Sequence, residues 1–72
     1  MYSNYYYNVE QNEKLTITYW KTKNAINCTI KNCIIIPDAV KTLKKRVASL
    51  YVRNEINEIE KDALIDYINV LY

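Results

Sequence analysis

The chain has 72 residues, a formal net charge of +2 and an apolar half, with neither histidine nor glycine. A chain this short forms one small domain with a thin stability margin, because only about 60% of its unfolded surface can be buried, while its eight tyrosines exclude a disordered polymer. Lack of histidine removes the commonest general base near neutral pH, and lack of glycine removes glycine-rich phosphate loops, so neither an enzyme nor a bound cofactor is expected.

Met1-Tyr2-Ser3-Asn4 opens the chain without a basic start or an apolar run, which predicts no signal peptide. The longest aliphatic run, Ile34-Ile35-Ile36, falls far short of the ~20 residues that span a bilayer. The expectation is a soluble cytoplasmic protein without a membrane partner.

Tyr5, Tyr7 and Val9 alternate with Tyr6, Asn8 and Glu10, and a period of two predicts a strand over residues 4–10. A second strand is predicted over 14–20, where Leu15, Ile17 and Tyr19 alternate with Thr16, Thr18 and Trp20 in a β-branched and aromatic stretch. The segment Lys21-Thr22-Lys23-Asn24 reads as a turn. Over 25–36 the even positions Ile26, Cys28, Ile30, Ile34 and Ile36 are apolar; one bulged strand and a hairpin folded at Lys31-Asn32 both fit. Pro37 closes the sheet, since proline cannot donate to a ladder.

Asp38 reads as the N-cap of a helix over 38–53, with Val40, Leu43, Val47, Leu50 and Tyr51 on one helical stripe. A second helix is predicted over 58–71. Asn57 and Glu60 have the spacing of a capping box, and Ala63, Leu64, Tyr67, Ile68 and Leu71 form the buried stripe. Asn12, Asn24, Asn32, Asn54 and Asn57 fall where turns are wanted, and asparagine is the natural substitute for glycine at positive φ. The expected fold class is α+β: a three- or four-stranded antiparallel β-meander followed by an α-helical hairpin packed on one face.

Charge is segregated. Residues 38–53 carry Lys41, Lys44, Lys45, Arg46 and Arg53 against Asp38, whereas residues 54–72 carry Glu55, Glu58, Glu60, Asp62 and Asp66 against Lys61. Lys41, Lys45 and Arg53 point outward on the first helix and are candidates for contact with nucleic acid or an acidic protein. A solvated helix face is the plainer reading of them, and the acidic neighbour would repel phosphate. Tyr6 and Trp20 share the outer face of the expected sheet and are candidates for partner binding, against the plainer reading that Trp20 covers a sheet edge. Ile65 and Tyr72 lie outside the last helix's core stripe and could form a homodimer interface.

Cys28 and Cys33 cannot by themselves supply the four ligands of a structural zinc site. Two reduced, partly buried thiols are expected, with a disulfide feasible only in the hairpin form. Asp62 and Asp66 sit one turn apart and could share a cation, although a solvated acidic stripe is the commoner case. No metal site is expected.

Asn, Ile, Lys and Tyr, whose codons are AT-rich, make up nearly half of the chain, as in many phage and mobile-element proteins. The functional expectation is a small non-enzymatic phage-type protein that blocks or modulates a host protein by stoichiometric contact, for example an anti-CRISPR-like inhibitor. The alternative is a small nucleic-acid-binding regulator using the basic helix or the Tyr6/Trp20 face.

Overall fold

The computed structural model describes residues 5–32 and 37–71. They form four α-helices: α1 Tyr5–Asn12, α2 Ile17–Asn32, α3 Pro37–Val52 and α4 Glu58–Leu71. No strand is present among the described residues, so the α+β expectation is corrected to an all-helical fold. Among the described residues, the strand expected over 4–10 gives way to α1 from Tyr5 on, and the one over 14–20 to the segment leading into α2 and its first turn; Asn4 lies outside the described residues. The third, over 25–36, gives way to the rest of α2 as far as Asn32, and residues 33–36 lie outside the described segments.

The physical reason lies in what residues 21–24 lack. Lys21-Thr22-Lys23-Asn24 contains neither glycine nor proline, so nothing breaks a helix there. Instead of turning, it places Thr22 in the interior between Tyr19 and Ile26. Tyr19, Thr22, Ile26 and the half-buried Ile30 recur at intervals of three and four, which is one helical face. The alternation Leu15–Ile17–Tyr19 coexists with that spacing. In the helix Ile17 rotates away from Tyr19 and is 73% exposed, while Leu15 packs against the core edge. Asn24 is not a turn residue but an exposed residue within α2.

Pro37 begins α3 rather than ending a sheet, at the position where its fixed φ and missing N–H cost a helix least. Asp38 therefore lies in the first turn instead of capping it, where its charge complements the helix dipole. Leu43, Val47 and Leu50 are buried, and Tyr51 is partly exposed. At the other end the chain leaves α3 through a Schellman motif. Asn54 adopts φ 62°, its N–H donates to the Tyr51 carbonyl, and the Glu55 N–H donates to the Leu50 carbonyl, each at 3.0 Å. Asparagine thus takes the left-handed position that glycine usually fills.

α4 is the hub. It packs against α1, α2 and α3, and it buries Ala63, Leu64, Tyr67 and Ile68. Its N-terminus carries the expected capping box: the Asn57 N–H donates to Glu60 at 3.0 Å, and the Glu60 N–H donates to Asn57 Oδ1 at 2.8 Å. Among the described residues no helix is long and apolar enough to cross a membrane.

Candidate functional site

Two carboxylates of α4 hold the N-termini of α1 and α2. The Tyr6 N–H, in the first turn of α1, donates to Asp66 Oδ2 at 3.0 Å. Glu60, only 1% exposed, accepts from both the N–H and the hydroxyl of Thr16, each at 2.8 Å. The same Thr16 oxygen accepts the Tyr19 N–H at 3.2 Å, so Thr16 is the N-cap of α2. Burial alone would push the Glu60 carboxyl up. The hydrogen bonds from Thr16 and Asn57 outweigh it and hold the group below its usual range. Two helix N-termini converge on this one anion, which explains how it stays buried without a cation.

Where α1, α2 and α4 meet, Lys23 is enclosed by aromatic rings. Its ammonium lies 4.7 Å from the centre of the Tyr67 ring, 5.2 Å from Tyr6 and 5.5 Å from Trp20. On its fourth side it donates to Glu10 Oε2 at 2.5 Å. The Tyr19 hydroxyl donates to the same Glu10 oxygen at 2.6 Å. Burial, and then the Glu10 hydrogen bond and charge, raise the Tyr19 phenol above its ordinary range. Tyr6 and Tyr67 meet edge to face with centres 4.9 Å apart, Tyr19 and Trp20 do the same at 5.1 Å, and the Tyr67 hydroxyl donates to Asn27. Such a cage is the kind that receives ammonium ligands; here the chain supplies its own.

Tyr6 and Trp20 are thus brought together, on helices rather than on a sheet face, and with different fates. Tyr6 is half-buried against the core. Trp20 is 46% exposed, with the Tyr19 ring edge to face against it and the Lys23 ammonium over its ring. Ile17 precedes it by one turn on the same side of α2, and Lys21 and Asn24 continue that exposed face.

Lys41 and Lys45 lie exposed on α3, with Arg53 just beyond its end. None of the three joins the cage. Arg53 pairs at 3.2 Å with Glu55, both of them exposed, which contributes little to stability. Ile65, expected on an outer dimer surface, is instead half-buried and packed against the core, because α4 has neighbours on three sides. Tyr72 and Cys33 lie outside the described residues. Cys28 is exposed on α2, not buried in a strand. Asp62 and Asp66 do not share a site: Asp66 caps α1, and Asp62 approaches Lys61 at 3.5 Å.

Among the described residues, hollows indent the surface at two places between helices. One of about 450 Å³ lies between Thr16, Tyr51, Asn54 and Asn57, and one of about 470 Å³ lies between Asn24, Asn27, Cys28 and Leu71. Among the described residues no three histidine, cysteine, aspartate or glutamate side chains are grouped to hold a metal, and every buried side-chain polar atom has a partner. The sequence reading missed Glu10, Lys23 and Thr16, whose roles need helical pairing to bring them together, and found only the local half of Glu60's role. No known protein family, curated protein or solved structure matches the chain.

Proposed function

We propose that this protein acts by stoichiometric binding of a partner protein, with Trp20 as the anchor and Ile17 beside it. The observation that carries this reading is the state of Trp20: nearly half exposed, yet held by the edge of Tyr19 and the ammonium of Lys23. A large aromatic fixed before contact loses little side-chain freedom on binding, and tryptophan is enriched at the energetic centres of interfaces. Ile17 adds apolar surface one turn away, and Lys21 and Asn24 supply a polar border. A host protein blocked by a small phage-type inhibitor is the version that composition supports.

The test compares the wild type with Trp20→Ala and, as a control at an exposed site on α4, Glu58→Ala. The Trp20→Ala protein should keep its helical circular dichroism, lose about 1 kcal/mol of stability with its ring contacts, and lose partner capture by 2 kcal/mol or more, roughly thirtyfold. The Glu58→Ala protein should capture as the wild type does. Equal capture by all three would remove Trp20 from the interface and with it this reading.

A further inference from the structure

We infer that the outward face of α3 is a docking surface for the phosphate backbone of duplex nucleic acid. Lys41 and Lys45 run along the line opposite the buried Leu43, Val47 and Leu50, after Asp38 at its start; Arg46 flanks it, and Arg53, paired with Glu55, lies just past its end. Among the described residues no carboxylate pairs with Lys41, Lys44, Lys45 or Arg46. The short Ala48 and Ser49, both exposed, let the helix backbone approach a ligand closely. The 16 residues of α3 span about 24 Å at about 1.5 Å per residue, and only α4 packs extensively against it. Among the described residues its outer half is therefore unobstructed, and a helix of this width enters a duplex major groove about 12 Å wide.

The acidic neighbour that argued against phosphate binding is committed elsewhere. Glu60 and Asp66 are turned to the N-termini of α2 and α1, Asp62 lies beside Lys61, and Glu55 is paired with Arg53, which leaves Glu58 exposed at the start of α4. Packed helix axes also stand about 8–10 Å apart, comparable to the Debye length of about 8 Å in physiological salt. The α4 carboxylates are thus screened from the Lys41/Lys45 line, and among the described residues only Glu55, paired with Arg53, touches its C-terminal end. An acidic protein surface would satisfy the same lysines. The line begins at the acidic Asp38 but carries only basic charge from Lys41 onward, and with a serine hydroxyl on it, it fits phosphates better, because serine and lysine both donate to phosphate oxygens.

The experiment titrates the full chain against a fluorescein-labelled duplex DNA of arbitrary sequence, two helical turns long, and reads anisotropy from roughly 50 to 200 mM salt. With about four phosphate contacts, log affinity should fall against log salt with a slope near −3.6, a loss of roughly a hundredfold over that range. Lys41→Glu combined with Lys45→Glu should weaken binding at least tenfold at low salt and reduce the slope by about 2. Should charge reversal perturb folding, the paired alanine variant, favourable in a helix, should show the same loss of slope. Trp20→Ala should bind the duplex unchanged, because this surface is separate from the proposed protein-binding face. The inference is overturned by absence of saturable binding at low salt, by binding that survives loss of both lysines, or by poly-glutamate binding α3 while the duplex does not. Preference for a single strand, lost in Trp20→Ala, would overturn it too.

Discussion

Glu60 shows how much one side chain can settle. Its Oε1 serves the start of α4, and its Oε2 the start of α2, 44 residues before it in the chain. Every group facing it is a donor, so glutamine would set an NH₂ against an N–H on one side or the other. Glu60→Gln should therefore destabilise by about 1–3 kcal/mol despite its matching shape, and Glu60→Ala by about 2–4 kcal/mol through loss of two caps, both measured by urea unfolding. The folded carboxyl titrates below its ordinary value of 4.5. Its stabilisation is thus present above that value and is lost as pH falls through the folded value. The acid limb of the stability profile should flatten in Glu60→Gln. An unchanged limb would mean that other carboxylates govern acid unfolding.

Among the elements, α3 and α4 were legible and α1 and α2 were not. The stripe Leu43–Val47–Leu50 has no competing period of two, and the Asn57/Glu60 pair marks a helix start wherever it occurs before an apolar stripe. Tyr5–Asn12 and Ile17–Asn32 satisfy both periods, and their tyrosines, isoleucines and threonines favour strands on propensity alone. The turn between α3 and α4 rests on Asn54 at φ 62°. Asn54→Gly should be neutral or stabilising by up to about 1 kcal/mol, and Asn54→Val should cost about 1–2 kcal/mol, since a β-branched residue is strained there. Equal melting temperatures for the two variants would show that the turn relaxes out of the left-handed region.

For the whole molecule, α4 is the piece on which the others depend. Leu64 is completely buried where α4 meets its neighbours, and Leu64→Ala should cost about 2–5 kcal/mol, lowering the melting temperature by at least about 8 °C. A variant that melts like the wild type would move the core elsewhere. The residues themselves determined the apolar stripes of α3 and α4, the capping box, the need for an asparagine at a positive φ, and the basic character of residues 38–53, because each depends on neighbours within a turn or two. Tertiary structure decided the rest. Strand and helix lie close in local free energy over residues 5–32, and burial of Val9, Tyr19 and Ile26 in a core shared with α4 tips them to helix. The placement of Lys23 among Tyr6, Trp20 and Tyr67 follows from that choice. So does the reach of Glu60 to Thr16, since no local pattern records which distant helix end a buried carboxylate will meet.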